Sequence, residues 1–94
     1  MQSRSVYKVP HGKLLKISMD YNRETSTIDT LNITGDFFVY PEESIEKVEE
    51  QLVGTLLERN HLLKKIQSII DQYHIECIGV DAEGLTEGIL LCVL

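Results

Sequence analysis

Thr34-Gly35-Asp36-Phe37-Phe38-Val39-Tyr40-Pro41-Glu42-Glu43 is the stretch on which the reading of this 94-residue chain turns. It closes a strand-like segment, sets both phenylalanines of the chain side by side and leads into a helical pattern. Gly35 admits a backbone conformation that residues with a Cβ avoid. Asp36 can bond its own backbone in a turn, and Pro41 with Glu42 and Glu43 reads as the first turn of a helix. Turn chemistry accounts for the glycine, the aspartate and the proline, but not for two large aromatics. A buried phenylalanine pair is a large apolar anchor, so this corner is either the hub of a small core or a docking surface. Neighbours in extended chain point to opposite sides. The pair therefore divides, and we assign Phe38 to the core and Phe37 to a partner or to the basic turn upstream.

Upstream of this corner the apolar period is two. Leu15, Ile17, Met19 and Tyr21 alternate with Lys16, Ser18 and Asp20, which predicts a half-buried strand. After a polar link, Asn22 to Ser26, a second strand is expected from Thr27 to Thr34, and the short link makes the two an antiparallel hairpin. Tyr7 to Val9 adds a short edge strand stopped by Pro10, which cannot donate to a ladder. Residues 1–6 are expected to be a flexible N-terminus.

Downstream the period becomes helical. Ile45, Val48 and Leu52 recur at three and four before Gly54, a suitable C-terminal cap. A longer helix is expected from about Glu58 to Tyr73, with Leu62, Leu63, Ile66, Ile69, Ile70 and Tyr73 on its apolar stripe. Ile75, Cys77 and Val80 allow a short extended piece, and Asp81 is placed to cap a last helix carrying Leu85, Ile89 and Val93. Residues 1–94 thus form one α+β domain. Residues 7–40 are strands, residues 41–94 are mostly helical, and three helices pack on one face of a small antiparallel sheet.

Composition sets limits on function. A domain of this size buries only about 60–65% of its unfolded surface, which leaves little room for an active-site cavity. The net charge of −6 argues against nucleic acid. The charge is also unevenly spread. Arg4, Lys8, Lys13 and Lys16 precede the first acidic residue, Asp20, whereas Glu42, Glu43, Glu46, Glu49 and Glu50 crowd one helix with Lys47 alone among them. Such a basic front end is either a solvated face or a surface for an anion or an acidic partner. Cys77 and Cys92 stand in apolar contexts without metal or redox spacing and are expected to be buried, reduced thiols. The start carries no basic-then-apolar signal and no apolar run is long enough to span a bilayer, which predicts a cytoplasmic protein.

No complete active site can be assembled from these residues. Pro10-His11-Gly12-Lys13 has one glycine and lacks the hydroxyl residue of a phosphate loop. His11, His61 and His74 fall in three different elements at no metal-ligand spacing. The glutamate cluster reads as a solvated helix face, because nothing near it in sequence would desolvate it and move a pKa. Gly84 and Gly88 have the spacing of a close-packing pair, a weak pattern in such a helix. Lys8 and Lys13 are the exception. They bracket a turn made rigid by Pro10 and pliant by Gly12, and they are either ordinary surface lysines or point charges aimed outward at a phosphate or carboxylate.

Two motifs carry a resemblance. Gly35-Asp36-Phe37-Phe38 followed by Pro41-Glu42-Glu43, and Tyr7-Lys8-Val9-Pro10-His11-Gly12-Lys13-Leu14, resemble the signatures of the C-terminal accessory domain of lipoate–protein ligases. In some archaea and bacteria this domain is a separate small protein, and the length of the chain and its start at Met1 suit that form. The resemblance covers roughly residues 7 to 94 in the order of elements, and His11 departs from it, standing where a small residue, often glycine, is expected. It implies a non-catalytic accessory subunit that forms a heterodimer with a catalytic subunit and is needed for activation of lipoate to lipoyl-adenylate. It implies ATP, magnesium and lipoate sites on the catalytic subunit and none on this chain alone, with lipoyl carrier proteins as indirect partners and no nucleic acid or membrane. Lys8, Pro10, Gly12, Lys13, Gly35, Asp36, Phe37, Phe38 and Pro41 become the residues expected to support the partner or its active site. The competing expectation is a stand-alone homodimeric binding module that self-associates through the Phe37–Phe38 corner.

Overall fold

The computed structural model describes residues 1–93. Leu94, the last residue of the domain assigned from sequence, lies outside them. The elements run β1 (Gln2–Lys8), β2 (Leu14–Asn22), β3 (Thr27–Gly35), β4 (Phe38–Tyr40), α1 (Ser44–Leu52), α2 (Arg59–Gln72), β5 (Glu76–Ile78) and α3 (Ala82–Leu91). Strands β1, β2 and β3 form an antiparallel meander in that order, and β4 pairs antiparallel with β5 in a separate two-stranded ribbon.

The hairpin expected from the period-two pattern is present, and its register explains the core. Leu15, Ile17 and Met19 of β2 face the same side as Leu31 and Ile33 of β3, and all five are buried. The hairpin loop is held by the Asn22 side-chain oxygen, which accepts from the backbone N–H of Glu24 at 2.9 Å and Thr25 at 3.2 Å. The edge strand is longer than expected, which corrects the reading of residues 1–6 as a flexible N-terminus. Gln2 to Lys8 pair residue for residue with Asp20 to Leu14. Ser3, Ser5 and Tyr7 of β1 point inward but lack the large aliphatic side chains that mark β2, so their alternation carried little apolar signal.

All three helices cover one face of the meander, as expected. Helix α3 lies on β1 and β2, α1 lies on β3, and α2 packs between α1 and α3. Close approach of α3 depends on the two glycines whose spacing looked weak in the sequence. A Cβ on Gly88 would lie 2.8 Å from the Cδ atoms of both Ile17 and Leu15, and one on Gly84 would lie 3.1 Å from the Val9 methyls. Leu15, Met19, Ile28, Leu52, Leu62, Ile66, Leu85 and Ile89 are fully buried at the centre. Asp81 caps α3 as read from sequence, its Oδ1 accepting from Gly84 N–H at 2.6 Å, and Glu58 caps α2 by accepting from His61 N–H at 2.6 Å.

Helix α1 begins later than expected. Pro41 to Glu43 form a turn in which the Pro41 carbonyl accepts from Ser44 N–H at 2.9 Å, so Pro41 precedes the helix rather than opening it. The glutamate cluster on α1 is also not wholly solvated. Glu49 Oε2 accepts from Ile33 N–H at 2.6 Å and so occupies the free edge of β3. Burial there raises the Glu49 carboxyl above the usual range, the Ile33 bond opposes this, and the charges of Glu46 and Glu50 add to the rise. Among the described residues no helix is long and apolar enough to cross a membrane.

Candidate functional site

Three chain segments meet at one corner, and both sequence motifs contribute to it. The first is the turn after β1. Gly12 N–H donates to the Val9 carbonyl at 2.8 Å and Val9 N–H to the Lys13 carbonyl at 3.1 Å, closing a tight loop around Pro10 and His11. His11 has φ = +60°. A proline followed by a positive φ is the order of a type II turn, which favours glycine at the second place. That accounts for the expectation of a small residue at position 11.

The second segment is Gly35-Asp36-Phe37, which leaves β3. Asp36 N–H donates to the Leu14 carbonyl at 3.0 Å. Gly35 has φ = +149°, and a Cβ there would lie 2.2 Å from the same carbonyl. The third segment is Gly79, after β5. Its carbonyl accepts from Lys13 N–H at 2.8 Å, and a Cβ on Gly12 would lie 2.6 Å from that oxygen. A Cβ on Gly79 itself would lie 2.7 Å from Lys13 Cγ and 3.5 Å from Phe37 Cα.

Lys13 and Phe37 therefore both crowd the space that a Cβ on Gly79 would need, and three glycines allow three backbones to touch. Gly79 is the one participant that sequence reasoning missed. Its signal was a lone glycine between Ile78 and Val80 at the end of an extended piece, where a close backbone approach is a standard reason for glycine.

The other site residues named from sequence are distributed as follows. Lys8 does not aim outward. Its Nζ donates to the Gly12 carbonyl at 2.6 Å and the Val9 carbonyl at 3.3 Å, folding the cation back over the turn. An ammonium with three donors satisfies turn carbonyls at short range, and this side chain is long enough to reach them. Lys13 is exposed at its tip, while its stem packs over Gly79. Pro10 borders a cleft of about 300 Å³ between the turn and the N-terminal ends of α2 and α3, with Tyr7, Val9 and Leu63 as its apolar lining. Arg59 and Glu87 form an ion pair at that cleft. Phe38 and Pro41 lie beyond the corner, on β4 and just after it.

The assignment of the two phenylalanines is reversed by the structure. Phe38 is 63% exposed, and Phe37 is half-buried against the core. Val39 points inward on β4 and is buried, so the residues on either side of it, Phe38 and Tyr40, point outward. Phe37, two residues before Val39, falls on the inward side. The opposite orientation of the pair holds as expected.

The chemistry available here is positional. Among the described residues no three His, Cys, Asp or Glu side chains come together in an arrangement that could hold a metal ion. Cys92 is buried, as expected, but Cys77 is only half-buried, and both are free. Burial raises both thiols, helped at Cys77 by the charge of Asp81 and opposed at Cys92 by the neighbouring Ser5 hydroxyl. The corner fixes the path of the chain and leaves exposed the outer side of β4–β5.

Comparison with known proteins places this arrangement. Over 79 residues the chain is 29% identical to lipoate-protein ligase A subunit 2 of Thermoplasma acidophilum, a match covering 81% of this chain and 76% of that protein. Its fold superposes on a chain of the structure of an archaeal lipoylation system from the same organism, comprising a bipartite lipoate protein ligase and its E2 lipoyl domain. The TM-score is 0.80 at 25% identity, with 95% of this chain and 94% of that one covered. Residues 10–88, which contain both motifs apart from Tyr7, Lys8 and Val9, match the C-terminal region of bacterial lipoate protein ligases, and the chain belongs to that family.

Proposed function

We propose that this chain is the accessory subunit of a bipartite lipoate–protein ligase, acting in the cytoplasm on a separate catalytic subunit and contributing no catalytic residue of its own. The observation that carries this reading is the extent of the match to the small-subunit fold. The likeness spans nearly the whole of both chains, and the 29% identical relative is itself the second subunit of a ligase. In this reading the catalytic subunit holds ATP, magnesium and lipoate and forms lipoyl-adenylate with release of pyrophosphate. It then passes the lipoyl group to a lysine of a carrier protein. The accessory chain orders or closes the active site during the first step, which suits a domain whose motif residues are spent on backbone geometry.

The test is lipoate-dependent pyrophosphate release by the catalytic subunit with and without this chain. Release should depend on the chain, whereas transfer from supplied lipoyl-adenylate to a carrier protein should proceed without it. Full activation by the catalytic subunit alone, or a micromolar ATP dissociation constant for the isolated chain, would overturn the reading.

A further inference from the structure

The outer side of the β4–β5 ribbon is the most concentrated apolar surface on the described chain. The register pairs Phe38 directly with Ile78 and Tyr40 with Glu76, so these four side chains share one outward face. Phe38 is 63%, Tyr40 48% and Ile78 47% exposed. The other large exposed apolar side chains are spread over the N-terminal residue, β1, the α1–α2 connection and the end of α3. Scattered exposed apolar residues are ordinary, but an aromatic pair and an isoleucine gathered on three strand pairs are not. The ribbon is also held in place: Val39 anchors it to the core, and Gly79 ties its end to the Lys13 backbone. A fixed aromatic platform loses little side-chain freedom on binding.

The charges around this face decide what can cover it. Glu76 lies on the face itself, and exposed Asp36 and Glu42 flank the two ends of β4. A two-fold contact with a second copy would set one acidic-rimmed face against another, and like charges across an interface are costly. A partner with an apolar pocket and a basic rim meets no such cost.

We propose that the outer face of β4–β5, centred on Phe38, Tyr40 and Ile78, docks on the catalytic subunit at an apolar pocket rimmed by lysine or arginine side chains. This inference rests on the accessory-subunit reading and adds the surface and its polarity. Phe38 is the central anchor, because aromatic residues at the middle of an interface carry a disproportionate share of binding energy.

The experiment measures binding of the purified catalytic subunit to the wild-type chain and to Phe38→Ala, Ile78→Asp, Glu76→Lys and Lys16→Glu. Thermal unfolding confirms that each variant is folded. Phe38→Ala and Ile78→Asp should each weaken binding tenfold or more, and Glu76→Lys should weaken it less and flatten its salt dependence. Lys16→Glu, on the uncovered face of the meander, should leave it unchanged. Full affinity in folded Phe38→Ala and Ile78→Asp, with wild type binding well, would overturn this surface while leaving the accessory reading intact. Wild-type chain that does not bind the catalytic subunit would overturn both. Self-association of the wild type that Phe38→Ala abolishes would assign the face to a second copy and overturn the proposal.

Discussion

The three-glycine corner and the outer face of the ribbon adjoin along the chain, yet they are built in opposite ways. At the corner the contacts are backbone on backbone: Asp36 N–H on the Leu14 carbonyl, Lys13 N–H on the Gly79 carbonyl, and Gly35 and Gly12 with no room for a Cβ. On the ribbon the side chains do everything, and Phe38, Tyr40 and Ile78 stand in solvent. The Gly-Asp-Phe-Phe motif straddles the boundary. Its first three residues set the path of the chain and half-bury Phe37, and its last residue opens the exposed face. A motif that reads as one block thus performs two tasks, and substitution within it should have effects that change character between positions 37 and 38.

The largest effect is expected at Gly35. An alanine there meets a backbone oxygen at 2.2 Å and a φ of +149°, and neither β2 nor β3 can move without breaking the meander register. Gly35→Ala should lose about 3 kcal/mol or fail to fold. Gly54 supplies the control. Its φ is +84° but a Cβ would have nothing within 4 Å, so Gly54→Ala should cost only the conformational penalty less the reduced freedom of the unfolded chain, about 0.5–1 kcal/mol net. Denaturant midpoints for the two variants decide the matter. Equal losses would mean that close approach at the corner contributes nothing beyond backbone conformation, and the contrast between corner and ribbon would fail.

Next in size is the phenylalanine pair. Phe37→Ala removes a half-buried ring packed on the core and should cost about 2 kcal/mol, below the range for a fully buried ring. Phe38→Ala should change thermal stability by no more than about 0.5 kcal/mol, as surface substitutions do. A Phe38→Ala loss as large as that of Phe37→Ala would make the ribbon face structural and remove it from consideration as a surface for partners.

Much of this architecture was legible in the chain. The β2–β3 hairpin, the three helical stripes and the Asp81 cap follow from periodicity and cap chemistry, because those signals reside within one element. What was missed depends on contacts between elements. Gln2 to Ser5 pair with Asp20 to Ile17 although their own side chains carry little apolar signal, so only the partner strand reveals them. The orientation of Phe37 and Phe38 depends on where β4 begins, and the pairing of Val39 with Cys77 fixes that. Lys8 looked like an outward charge because nothing in sequence shows that the Gly12 carbonyl lies within its reach. The motif residues themselves were found, through turn chemistry and resemblance to the family, but their division between corner and face required the register.

The smallest expected effect tests the corner from the other side, by relieving a conformation rather than imposing one. His11 is a residue with a Cβ in the left-handed region, at φ = +60°, within a turn otherwise well suited to its neighbours. It is exposed, so its ring is not part of the packing that Gly12 and Gly79 permit. The left-handed conformation costs a residue with a Cβ about 1–2 kcal/mol. Glycine avoids that cost but is freer in the unfolded chain, which returns about 0.5–1 kcal/mol. His11→Gly should therefore raise stability by about 0.5–1 kcal/mol, visible as a small increase in the thermal midpoint. Gly12→Ala, one residue on, should lower it, because a Cβ there meets the Gly79 carbonyl at 2.6 Å. The sign change between adjacent residues separates a conformational demand from a steric one. If His11→Gly instead destabilised the chain, the imidazole would be holding the turn, and position 11 would belong with the side-chain contacts of the ribbon rather than the backbone contacts of the corner.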